Sequence, residues 1–203
     1  MKKTILSLAL VLAFISCSEN KEKPKENKSI VDKNVKIDSE NITVNWTAYK
    51  TTEKKAVKGK FTKFGLSTMR RMTIQEAIDG ATMTVVVNSI NSGNEDRDEK
   101  LKANFFAVMQ DAEELKGALK IKDATNGVVA FTMNDITFDF PVTLNDVGGK
   151  LTISGTMNLD NWKAQTAITA LNVVCKDKHK GADGISKTWS EVNIEVIIPY
   201  TKK

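Results

Sequence analysis

From Ile42 to Ile198 the chain repeats one pattern, short runs in which every second residue is apolar, punctuated by turn residues. In ENITVNWTAYK, Ile42, Val44, Trp46 and Ala48 fall on one side, with Thr43, Asn45, Thr47 and Tyr49 on the other. Successive side chains of a strand point to opposite faces, so this is a half-buried β-strand. Val57, Gly59 and Phe61 repeat the pattern, and Gly59 implies a bend or a close backbone approach. Further runs carry Met83, Val85 and Val87; Leu119 and Ile121; Val129, Phe131 and Met133; Phe138, Phe140 and Val142; Ile153 and Met157; and Val192, Ile194, Val196 and Ile198. Asn126-Gly127, Asn134-Asp135 and Gly148-Gly149 are the tight-turn pairs expected between antiparallel neighbours. Pro141 implies an edge position or a bulge, because it cannot donate to a ladder. The expected fold is mainly β, eight antiparallel strands with two or three short helices, a meander that can close on itself as a β-barrel.

Three segments break the alternation. Thr73 to Asp79 has Thr73 with Glu76 three residues on, the spacing of a helix capping box, and Gly80 ends it. Ser89 to Met109 turns on Gly93 and becomes a helix, with Leu101, Phe105, Val108 and Met109 on one face and Asp98, Glu99, Lys100, Lys102 and Asn104 largely on the other. Asp96 and Asp98 sit where the helix dipole favours negative charge, and Arg97 is placed to tie the loop through a carboxylate. This segment reads as plain core, or as a lid over a cavity with Phe105 and Phe106 as apolar stoppers. Trp162 to Lys178 is the third, with Ala164, Ile168, Leu171 and Cys175 along one face.

The first residues have a different logic. MKKTILSLALVLAFISC has a basic start, an apolar run too short to span a bilayer, and the small Ser16 before Cys17, a sequence that resembles a bacterial lipobox. Residues 1–16 are expected to be a lipoprotein signal peptide and Cys17 the lipidation site. Residues 17–35, rich in Lys, Glu and Asn, read as a flexible linker, leaving 36–203 as the barrel domain. Removal of Lys2 and Lys3 with the leader brings the formal charge from +5 to +3, too mild for a dedicated nucleic-acid surface. With Cys17 acylated, Cys175 is the one remaining thiol and no intramolecular disulfide is available.

Signals for catalysis are thin. Cys175 and His179 stand four residues apart, a spacing open to a metal site or a Cys-His pair, yet without the further ligands that such a site needs at recognisable spacing. Asp96 with Asp98, and Glu113 with Glu114, are explained by helix-start charge and a solvated face. No glycine-rich phosphate loop follows a strand, and no Gly-x-Ser-x-Gly occurs. The expectation is no enzyme, no catalytic residue and no metal.

VKGKFTKF, SINSGNEDRDEKL followed by two phenylalanines, LTISGTMNL and GADGISKTWSEVNIEVIIPY together resemble the YceI-like, polyisoprenoid-binding family, in the lipoprotein branch of the Bacteroidetes type. The similarity runs from about Val35 to Lys203, and its most specific part is Gly93, Asn94, Arg97, Asp98, Leu101, Phe105 and Phe106. Where many relatives follow the phenylalanine pair with Tyr-Pro and a phenylalanine-rich strand, this chain has Met109-Gln-Asp-Ala-Glu-Glu-Leu. The resemblance implies a lipocalin-like barrel around a polyprenyl or quinone-like lipid, often as a homodimer, with no further cofactor. By parity the inward positions are Trp46, Phe61, Val85, Val87, Phe131, Met133, Phe138, Phe140, Ile153, Met157, Ile194 and Val196; Met83 adds a pliable wall, and Phe105, Phe106 and Met109 at the helix are further pocket-lining candidates. Lys54, Lys55, Lys58, Arg70 and Arg71 read as a solvated face, or as mouth cations if the lipid carries a phosphate. The expected function is a cell-envelope lipoprotein, on the periplasmic face or outer surface, that binds an isoprenoid-type lipid for carriage, storage or sensing. The alternatives are a membrane-displayed interaction module with a side-chain-filled barrel, or an envelope enzyme using Cys175 and His179.

Overall fold

The computed structural model describes residues 34–202; the expected leader, Cys17 and nearly all of the linker lie outside them. These described residues form one compact unit. Its strands are β1 (Lys36–Ile37), β2 (Thr43–Lys50), β3 (Lys55–Phe61), β4 (Phe64–Ser67), β5 (Thr82–Val86), β6 (Ile90–Asn91), β7 (Glu114–Ile121), β8 (Asn126–Met133), β9 (Ile136–Val147), β10 (Lys150–Asn158) and β11 (Thr188–Thr201). The helices are α1 (Ile74–Ile78), α2 (Glu95–Asn104) and α3 (Gln165–Val174). All pairing is antiparallel, in the order β4-β5-β7-β8-β9-β10-β11-β2-β3-β6, with β1 added beside β11.

The two ends of that order meet, because β3 runs on into β4 and β5 into β6. Phe61 pairs with Ile90 and Phe64 with Val85, so two residues on one side of this corner oppose four on the other. The surplus is taken up by a 3-10 turn at Val87–Ser89. Ser89 secures it: its Oγ accepts from Lys63 N at 3.0 Å and donates to Val86 O at 2.7 Å. Counted this way, eight bent strands close on themselves, with the lipocalin-like curl expected of the sequence.

α1 forms where its capping box is complete, with Thr73 Oγ1 accepting from Glu76 N at 3.2 Å and Glu76 Oε2 from Thr73 N at 3.3 Å. It places Ile74, Ala77 and Ile78 in the core, each 1% exposed, and each buried isoleucine contributes about 1.5–3 kcal/mol. Elsewhere Trp162, wholly buried, stands edge-on to Phe131, Phe138 and Phe140 and donates its Nε1–H to Phe131 O at 2.9 Å.

Several expectations are corrected. Asn134-Asp135 and Gly148-Gly149 are left-handed turn pairs, but Asn126 and Gly127 already belong to β8. The preceding turn is instead held by Asp123, whose Oδ1 accepts from Thr125 N at 2.8 Å and Asn126 N at 2.9 Å. Pro141 is on neither an edge strand nor a bulge: β9 is central, and Pro141 pairs with Val128 just beyond Thr143, where the ladder to β10 stops. α2 ends at Asn104, so Val108 leaves its apolar face and is exposed. Asp98, expected on the polar face, is buried and accepts from Ser92 N and Oγ. Arg97 ties the loop through Ser92 Oγ and Ser92 O, not through a carboxylate.

Candidate binding cavity

The inward faces of the strands enclose a cavity of about 200 Å³. Its wall is apolar; Thr188 and the two indoles Trp46 and Trp189 are the lining side chains that carry a polar atom. Three glycines leave room on the inward side of their strands, Gly117 and Gly155 on the cavity wall and Gly59 under the Trp46 ring. An added Cβ at Gly59 would fall 2.5 Å from Trp46 Cε2, and one at Gly155 would fall 2.9 Å from Phe140 Cε2 and Pro141 O. At Gly117 it would meet Val129 Cγ1 at 3.3 Å and Phe131 Cδ2 at 3.4 Å. At Gly59 and Gly155 an aromatic ring lies across the backbone. The cavity is smaller than common ligand sites of roughly 300–1,000 Å³, so a long occupant needs side chains to turn aside. Met83, Met133 and Met157 supply that pliancy along the wall. Buried Trp46 Nε1 finds no hydrogen-bond partner among the described residues.

α2 and α3 cover one flank. Asn94 caps α2, its Oδ1 accepting from Arg97 N at 2.9 Å, and the chain leaves the helix through Phe105 into a 3-10 turn at Phe106–Val108. Phe105 and Phe106 stand edge-on at 5.0 Å and both line the cavity. Between α2, α3 and β2 lies a second space of about 110 Å³, its surface still mostly apolar but bordered by charged groups. It shares Trp46, Ala48, Leu101, Leu171 and Thr188 with the apolar cavity and adds Lys50, Asp96, Arg97, Lys100, Cys175, Lys178 and His179. Asp96 takes Lys100 Nζ at 2.9 Å and Lys178 Nζ at 2.6 Å, hydrogen bonds that hold its carboxyl down at about 2.

The Cys175 and His179 side chains therefore border one vestibule. Burial pushes the thiol up, away from the reactive thiolate. His179 Nδ1 lies 2.7 Å from Thr188 Oγ1 and 3.3 Å from Asn172 Oδ1, and burial, with Lys50 nearby, lowers the ring to about 4. Among the described residues no three His, Cys, Asp or Glu side chains converge as a metal site. A wider depression of about 1,030 Å³ borders Asn45, Thr47, Lys58, Asn193 and Glu195, the outward positions of their strands, and suits water better than an apolar guest.

The YceI-like domain model matches residues 35–197. The chain belongs to the YceI-like domain family. Two solved structures share the fold. A polyisoprenoid binding domain from Saccharophagus degradans implicated in plant cell wall breakdown is 10% identical over 83% of this chain and 98% of its own, with a TM-score of 0.58. BcnA of Burkholderia cenocepacia is 15% identical over 82% of this chain and 100% of its own, with a TM-score of 0.54. No curated protein matches the chain in sequence.

Within this YceI-like domain, the cavity wall includes Trp46, Phe61, Met83, Val85, Phe105, Phe106, Phe131, Met133, Phe140, Ile153, Met157, Ile194 and Val196. Val87, Met109 and Phe138 are not part of it. Val87 is buried in the 3-10 turn at the barrel corner, and Met109 is buried beyond the turn that follows α2. Phe138 shares the inward parity of Phe140 but lies further toward the strand's end, packed on Trp162 and 40% exposed. Parity assigns a face and not a depth, which accounts for Phe138. Sequence reasoning missed Leu101, Ile168 and Leu171 as wall residues, although each lay on an apolar helix face. The cations read as a solvated face do not line the cavity: Lys54 pairs with Glu191 over the rings of Tyr49 and Trp189, Lys58 borders the outer depression, and Arg70 and Arg71 lie exposed before α1.

Proposed function

We propose that this domain binds a single-chain isoprenoid-type lipid, a polyprenyl chain or the tail of a quinone, inside the barrel. The observation that carries the reading is the apolar cavity, whose wall extends from Ile78 and Ala81 at α1 to Ile168 and Leu171 on α3. The fold shared with a polyisoprenoid binding domain of Saccharophagus degradans supports it. Each methylene removed from water contributes about 0.8 kcal/mol, so a five-carbon unit supplies roughly 4 kcal/mol before the cost of ordering the chain. Binding of this kind needs no chemical step, and the protein acts as a carrier, store or sensor. Cys17 is proposed to anchor it to the cell-envelope membrane, with the expected linker of residues 17–35 as the tether up to its last residue, Val35, which is instead buried in the core with its N–H on Arg71 O at 2.9 Å.

The test is mass spectrometry of organic extracts from the natively purified domain, begun near Val35 so that acyl chains on Cys17 are absent. A stoichiometric isoprenoid is expected. An empty protein that takes up neither polyprenyl lipids nor quinones would overturn the reading in favour of an interaction module whose barrel is filled by its own side chains. For the anchor, Cys17→Ala is expected to move the protein from the membrane to the soluble fraction; an unchanged membrane fraction would refute it.

A further inference from the structure

The vestibule beside the cavity holds four cations, Lys50, Arg97, Lys100 and Lys178, against the single carboxylate of Asp96. His179 does not alter the balance, since its ring is neutral at pH 7, and Cys175 keeps its proton. Asp96 is already engaged by Lys100 and Lys178. Lys50 donates its Nζ to the backbone oxygen of Lys178 at 2.9 Å, a contact that supplies no opposite charge. Lys55 stands directly across the β2–β3 ladder from it, a like charge in the pairing position. Burial lowers the lysine's proton affinity, and the positive fields of Lys55, Arg97 and Lys178 lower it further. Arg97 uses Nε and Nη2 on Ser92, two of its five N–H donors, so its guanidinium is held in place with donors to spare. The vestibule also sits at the N-terminal turn of the ten-residue helix α2, through Asn94, Asp96 and Arg97, where the backbone field favours negative charge.

Resting on the lipid-binding reading of the barrel, we infer that this vestibule is an anion site for the head of the bound lipid: a single-chain amphiphile with a negatively charged head places its tail in the apolar cavity and its head among Lys50, Arg97 and Lys178. The side chains of Trp46, Ala48, Leu101, Leu171 and Thr188 border both spaces, so a head and tail on one molecule can occupy the two where those side chains turn aside. The head is a phosphate monoester on a prenyl chain or the carboxylate of a fatty acid. Both offer charged oxygens to lysine and arginine donors.

The test uses the chain from Ser18 onward, stripped of lipid, and four probes: geranylgeranyl phosphate, geranylgeraniol, oleate and methyl oleate. Each anionic probe is expected to bind at least tenfold more tightly than its neutral counterpart, and the larger of the two advantages names the source of the head. Lys50→Met is expected to cut that advantage about tenfold while leaving the neutral probes unchanged. Asp96→Asn, which removes the competing carboxylate, is expected to increase it several-fold, an effect that a merely structural role for Asp96 would not produce. Thermal unfolding of both variants keeps a folding defect separate, and Lys178→Met serves if Lys50→Met does not fold. Equal affinity for charged and neutral probes in the unaltered chain, or an advantage unmoved by these substitutions, overturns the inference while leaving the lipid-binding reading intact. Failure of all four probes to bind overturns both.

Discussion

Trp162→Ala tests the packing that supports the barrel. The indole is completely buried, with ring centroids 5.5 Å from Phe138, 5.9 Å from Phe131 and 6.1 Å from Phe140, and its Nε1–H serves Phe131 O. Truncating a buried tryptophan to alanine costs about 3–5 kcal/mol through lost transfer energy and the cavity left behind. In a domain of this size, 1 kcal/mol moves the unfolding midpoint by about 2–4 °C, so a fall of roughly 6–20 °C is expected. Trp162→Phe keeps a ring among the other three and loses the hydrogen bond, which places it at about 1–2 kcal/mol. Thermal unfolding followed by circular dichroism reads both, on lipid-free protein, because a bound ligand would add its own stabilisation. A fall under about 3 °C for Trp162→Ala, or equal losses for the two variants, would refute the assignment of a packed aromatic cluster.

Gly155→Ala is expected to cost about 1–3 kcal/mol in urea unfolding, because its Cβ would press on Pro141 O and on two side chains. Gly65→Ala is the control, with nothing within 4 Å of the added atom, and should fall within about 0.5 kcal/mol of the parent; similar values for the pair would contradict the close approach of β9 to β10. Thr73→Ala should destabilise by about 0.5–2 kcal/mol through loss of the α1 capping box, and an unchanged urea midpoint would count against it. His179 is lowered by burial and by Lys50, so the unfolded chain takes up its proton first: stability should decline as pH falls below about 6.5 and level off below about 4. His179→Gln should flatten that part of the pH profile, and an identical slope in the variant would show that other groups produce it.

Period-two alternation, written residue by residue from Ile42 to Ile198, determined that this chain is mainly β and where its eight main runs lie, though not the short β1, β4 and β6, because facing in a strand is local geometry. Local chemistry likewise determined α1, whose capping box needs only Thr73 and Glu76, and the tight turns at Asn134-Asp135 and Gly148-Gly149. Gly59 was legible as a close approach, though not that the intruder is Trp46. What tertiary structure decided is everything that depends on position along the barrel and on which segments meet. Phe138 and Phe140 share a face, yet only Phe140 reaches the cavity, since depth follows from the stagger of neighbouring strands. Asp98 became buried because the loop before α2 folds back to give it Ser92 as a partner. The vestibule draws Lys50 from β2, Arg97 and Lys100 from α2, and Lys178 from beyond α3. Helical spacing links only Arg97 and Lys100; the packing of two helices against the barrel wall brings Lys50 and Lys178 to them.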